Sequence, residues 1–149
     1  SRGMAKPVMK RKPNPVIFIQ PLDPYRHDLF VVAGATKADL LRFCKKAKVI
    51  KECVEVIKED ADKMFSTIES TQLALFFWAK KKHHIFFMLF LRPYKDVWEY
   101  WETLIHELAH VVQKLASEKM MEGEDEARAY LHEFLFRSVR RKLQGLEKL

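Results

Sequence analysis

The residues of this chain whose types and spacing best suit chemistry are His106-Glu107-Leu108-Ala109-His110. On a helix of 3.6 residues per turn, His106 and His110 project from one side, a turn apart, and their imidazoles can converge on a single metal ion. Glu107 sits about 100° further round, close enough to reach a water on that ion without ligating it. Neutral imidazoles that hold a divalent ion, with a carboxylate beside them that takes a proton from water, are what zinc-assisted hydrolysis requires. The same three side chains can also share an ordinary solvated helix face, so their surroundings carry weight. Val97, Trp101, Leu104, Leu108, Val112 and Leu115 form an apolar stripe, and the two histidines point away from it among Glu99, Thr103 and Gln113. Apart from Glu107, the residues between and beside the histidines are uncharged, unlike the lysine-studded face of a helix that is merely solvated.

The run from Thr103 to Val112 resembles the extended zincin signature, in which H-E-x-x-H is bracketed by uncharged residues, and the resemblance extends from Trp98 to Arg137. Downstream, Gly123-Glu124-Asp125-Glu126-Ala127-Arg128-Ala129-Tyr130 is similar to the glutamate helix of the gluzincins, whose third zinc ligand is a glutamate one helix further on. Short E-A-x-A-Y-like versions belong to compact, phage-encoded or ImmA-like metallopeptidases. The resemblance implies a Zn²⁺ cofactor, a peptide or protein substrate, Glu126 as the third ligand and Glu107 as the general base of a zinc metallopeptidase. His110 and Glu126 are separated by 15 residues, fewer than gluzincins usually show.

Helix geometry leaves the third position open. Six residues past His110, to Ala116, a helix travels roughly 9 Å, and a returning helix that starts near Glu122 needs a similar number of residues to come back level. Glu126 fits a first helix that ends near Ser117; an end near Lys119 moves the level position toward His132 and Glu133. Glu122, Glu126, Tyr130 and Glu133 share one face, while Ala127, Leu131, Phe134 and Leu135 make the core stripe. Tyr130, one turn beyond Glu126, is either a hydrogen-bond donor to a ligand or to an oxyanion, or an aromatic at the edge of the core.

The elements that must position these residues follow from the rest of the chain. Its 149 residues, 48% of them hydrophobic, support one domain with a substantial core. Ser1-Arg2-Gly3 before Met4 reads as a cloning remnant, and Ala5 to Asn14 as a flexible or extended basic arm, which leaves residues 15–149 as the folded unit. Residues 1–14 hold Arg2, Lys6, Lys10, Arg11 and Lys12 and no acid, so removing these five cations lowers the formal net charge from +7 to +2. Such an arm can hold nucleic acid by counterion release or simply confer solubility. The rival to an enzyme is therefore a nucleic-acid- or protein-binding module whose metal is structural or absent. Arg137, Arg140, Arg141 and Lys142 complement a helix C-terminus and can join the arm in a basic patch.

The apolar run Val16–Ile19 lacks the features of a signal peptide, and Ile85–Leu91 is far too short to span a bilayer. Cys44 and Cys53 have no metal-binding spacing and read as reduced thiols of a cytoplasmic protein. Val16–Gln20 and Leu29–Ala33 read as strands around a Pro-Asp-Pro turn, Thr36 as the N-cap of a helix over Lys37–Lys46, and Val49–Ser70 as a second helix. Leu73–Trp78 and Ile85–Leu91 form a hairpin with Ala79–His84 as its polar tip. Adjacent His83 and His84 are left out of the site, since neighbours on a strand face opposite ways. Asp96 with Glu99 suggests a capping box that starts the motif helix near Val97. The order of elements predicts a compact α+β domain of the zincin-like kind, a small sheet packed on the active-site helix and a following glutamate helix, whose edge strand can take a peptide by β-augmentation.

Overall fold

The computed structural model describes residues 15–70, 74–119 and 124–149. The expected basic arm, Leu73 and Glu122 lie outside them. The described chain is α+β, with the element order β1 (Val16–Pro21), β2 (Asp28–Ala33), α1 (Lys37–Lys46), α2 (Lys51–Ser70), β3 (Ala74–Lys81), β4 (His84–Leu91), α3 (Trp98–Glu118) and α4 (Asp125–Leu143).

The four strands form one mixed sheet in the order β1-β2-β4-β3. β1 pairs with β2 and β3 with β4 antiparallel, while β2 and β4 run parallel at the centre. A parallel pair needs a long crossover, which α1, α2 and β3 supply. Both faces of the sheet are covered, so the strands read as nearly continuous apolar runs rather than alternating ones. Phe18, Leu29, Val31, Phe87 and Leu89 face α3 and α4. The intervening Phe30, Val32, Phe86, Met88 and Phe90 face α1 and α2.

α1 begins as its sequence predicts: Thr36 accepts from the Asp39 N–H, and the Asp39 carboxylate accepts from the Thr36 N–H. These bonds hold the Asp39 carboxyl below the ordinary carboxylate range. Cys44 and Cys53 are buried free thiols, and desolvation pushes them up to about 11 and about 12. Thiols so protonated and enclosed are poor nucleophiles.

The hairpin departs from expectation at its tip. The strands continue through Lys80 and Lys81 to pair Lys81 with His84, leaving Lys82 and His83 as a two-residue turn in which Lys82 has φ 55°. Lys81 remains on the strand because its Nζ reaches Glu59 at 2.6 Å and Glu55 at 3.2 Å on α2. No helix among the described residues is long and apolar enough to cross a membrane.

α3 is anchored by Leu104, Leu108, Val111 and Leu115, all fully buried. Leu108 lies between the two histidines in sequence and on the opposite side of the helix, so the core that fixes the sheet also fixes the histidine face. Leu108→Ala should lower unfolding stability by about 2–5 kcal/mol through lost burial and the cavity left behind. Urea denaturation of the two proteins checks it, and a loss under about 1 kcal/mol would contradict this packing.

Candidate metal centre

The capping box expected at Asp96 and Glu99 is not formed. Val97 is the N-cap and has no side-chain hydrogen bond, while the Asp96 carboxylate accepts from the Trp101 indole N–H at 2.8 Å. The indole of the next helical turn has taken the side chain that local pattern assigned to the cap. Val97, expected in the apolar stripe, is consequently exposed. The rest of the stripe is buried as the spacing predicts, and it leaves His106 and His110 on the exposed side of α3.

The two imidazoles converge. Their Nε2 atoms lie 3.1 Å apart, with ring planes at 82° and centroids separated by 4.8 Å. Two nitrogens held at about 2.0–2.1 Å by one tetrahedral zinc ion are roughly 3.3 Å apart. The observed spacing therefore suits a shared metal, and it equally suits a hydrogen bond between two neutral rings, one giving its N–H to the other's lone pair. In fit, then, the pair meets the demand of zinc for two imidazole donors.

Glu107 is half-buried and turns from the histidines toward the sheet. Its Oε2 accepts a hydrogen bond from the backbone N–H of Phe76 at 3.1 Å. Phe76 belongs to β3, the edge strand beside which α3 packs. Between strand and helix runs a cleft of about 530 Å³, with Phe76, Trp78, Glu107, His110, Gln113 and Lys114 in its lining. Lys114, one turn beyond His110, places Nζ 3.6 Å from the centroid of the Trp78 ring and 2.9 Å from Glu118. The hydrogen bond from Lys114 holds the Glu118 carboxyl below the ordinary carboxylate range. The cleft thus has an aromatic wall at its far end, and a lysine already neutralised by its neighbour.

The position of α4 follows from where α3 stops. α3 runs to Glu118 with Lys119 as its C-cap, between the two expected ends. On α4 the His132 Nε2–H donates to the Ile105 carbonyl at 2.9 Å, more than a turn before His110. Asp125, Arg128, Ala129 and His132 face Ala109 and Val112 of α3. Glu126, one residue round from Asp125, is exposed on the first turn, and Glu133 is exposed and bonded to Arg137 at 2.9 Å. Among the described residues, no three side chains of His, Cys, Asp or Glu gather as a metal site. The structure brings His106 and His110 together and does not bring Glu126 to them.

Tyr130 is 69% exposed and lies with Ala127 and Phe134 against the turn at Asp23, Pro24 and Tyr25, on a different side of α4 from the one that meets α3. Phe134, expected in the core, is nearly half-exposed. The buried residues of α4 are instead Leu131, Leu135, Val139 and Leu143, a row at every fourth position, which is the ridge a helix offers when it crosses its support at an angle.

Sequence reasoning passed over Phe76, Trp78 and Lys114. Lys114 was accessible to it, being four residues past His110 and therefore on the histidine face. Phe76 contributes a backbone N–H, which has no signature in residue type. No protein-family model matches the chain, and no curated protein or solved structure matches it either.

Proposed function

We propose that this chain is a zinc-dependent peptidase whose centre lies on α3 beside the free edge of β3. The observation that carries the proposal is the approach of the His106 and His110 Nε2 atoms to 3.1 Å, one residue from a carboxylate at the margin of an open cleft. His106 and His110 hold the ion. Glu126 is the candidate third ligand, by resemblance to the gluzincin glutamate helix, with Glu122, His132 and Glu133 as alternatives on the same segment. Bound Zn²⁺ supplies a Lewis acid that makes water nucleophilic near neutral pH and polarises a carbonyl.

The chain's own residues supply the remainder. Glu107 accepts the proton of the attacking water and passes it to the departing amine, a role that needs a carboxylate within hydrogen-bond reach and not bound to the metal. The outward-facing amides and carbonyls of β3 hold a substrate extended, since an edge strand offers unpaired backbone groups to another chain. Trp78 supplies an apolar wall for a side chain of that substrate.

The test is cleavage of a proteome-derived peptide library by the zinc-loaded protein. Cleavage should stop on treatment with a zinc chelator and return when zinc is added back. Hydrolysis that survives complete removal of metal would overturn the proposal. Salt-sensitive binding of DNA or RNA, without hydrolysis of any library peptide, would favour the binding module instead.

A further inference from the structure

Glu107 occupies a place on β3 that a paired strand would need. In an antiparallel pair, a residue directs both its N–H and its C=O to the same side, and successive residues alternate sides. The Phe76 N–H goes to Glu107, so Phe76 faces the free edge and Phe77, which stands opposite Met88, faces β4. By the same alternation Trp78 also presents its backbone groups outward. A strand added at this edge would therefore hydrogen-bond first at Phe76 and Trp78, and the carbonyl it brings to the Phe76 N–H must replace the Glu107 carboxylate.

We propose that Glu107 and the Phe76 amide form a latch on the β3 edge, opened by the strand that the edge receives. In the closed state the carboxylate satisfies Phe76 and shields an edge otherwise prone to unspecific pairing, a task that charged side chains commonly perform at sheet edges. Addition of an extended polypeptide moves the Phe76 hydrogen bond to a peptide carbonyl and frees the carboxylate. When a polypeptide lies in the cleft, Glu107 has Oε2 as well as Oε1 free to accept, and its side chain is released from the β3 edge beside His106 and His110. The consequence for catalysis rests on the peptidase reading; the competition for one N–H does not.

The tests keep the two apart. Amide hydrogen exchange, resolved by NMR on the full chain, should show the Phe76 N–H exchanging about tenfold faster in Glu107→Ala than in the parent protein. The Phe77 amide serves as the control for an intact ladder and should not change. Glu107→Gln keeps an acceptor oxygen and should retain most of the protection. Equal exchange at Phe76 in the parent and Glu107→Ala, with Phe77 unchanged, overturns the latch.

The strand side is read with metal-free protein and an immobilised mixture of random octapeptides, so that hydrolysis plays no part. Glu107→Ala should be retained several-fold more strongly than the parent, because its Phe76 N–H is unoccupied. Equal retention, including none by either protein, contradicts the competition. A chain that shows both effects and yet never cleaves a peptide keeps the latch and loses the peptidase. A chain that cleaves through Glu107 but shows neither effect keeps the peptidase and loses the latch.

Discussion

Glu107→Gln should retain zinc at parental stoichiometry and cleave peptides at least about a hundredfold more slowly than the parent, the scale on which a positioned general base contributes. The substitution preserves size and shape, and its amide oxygen can still accept from the Phe76 N–H that the carboxylate holds at 3.1 Å. What it removes is the basicity needed to take a proton from water. The two readings of Glu107, as base and as edge cap, are thereby separated: a residue that served only to cap β3 would leave cleavage near the parental rate. The measurement is kcat/KM on a library-derived peptide, together with zinc content by elemental analysis of the same preparation.

His106→Ala and His110→Ala should each lose zinc, with affinity falling by more than about a hundredfold, since loss of a direct ligand exceeds the 10–100-fold typical of groups that merely orient one. Their rings are exposed on a helix whose opposite side is fully buried at Leu104 and Leu108, so neither substitution opens the core. Thermal unfolding of the metal-free variants should accordingly stay close to that of the metal-free parent. If the double variant keeps one zinc per chain after dialysis, the ion sits elsewhere. The same comparison on Glu126→Ala decides the third position, with Glu122, His132 and Glu133 next in line should Glu126→Ala bind zinc as the parent does.

Much of the frame was legible because each helix and strand carries its own periodicity. Thr36 marked the start of α1, and the stripe of Trp101, Leu104, Leu108, Val112 and Leu115 opposite the histidines marked the orientation of α3. Where local rules failed, another side chain had taken the group concerned. Asp96 serves the Trp101 indole rather than a helix cap, and Lys81 is held in a strand by Glu55 and Glu59 of another element. The row Leu131, Leu135, Val139 and Leu143 depends on the angle at which α4 crosses its neighbours, which the composition of α4 does not record.

The site divides in the same way. The histidine pair is contained within one helical turn, so spacing alone brings the two Nε2 atoms together. A third ligand depends on the separation, level and rotation of two helices, and α4 is turned so that Asp125, Arg128 and His132 meet α3 while Glu126 is exposed. The edge-strand contact to Glu107 joins residues 31 positions apart through a backbone N–H, a group common to every residue but proline, and no pattern of residue types marks it.

An open zinc centre built on His106 and His110 can be read by zinc X-ray absorption on the loaded protein. At least two imidazole nitrogens should appear at about 2.0–2.2 Å with an oxygen donor in the shell, and that imidazole scattering should be lost in the His106→Ala, His110→Ala double variant. A shell closed by four protein nitrogen or sulfur donors, or a spectrum that the double variant leaves unchanged, would contradict it.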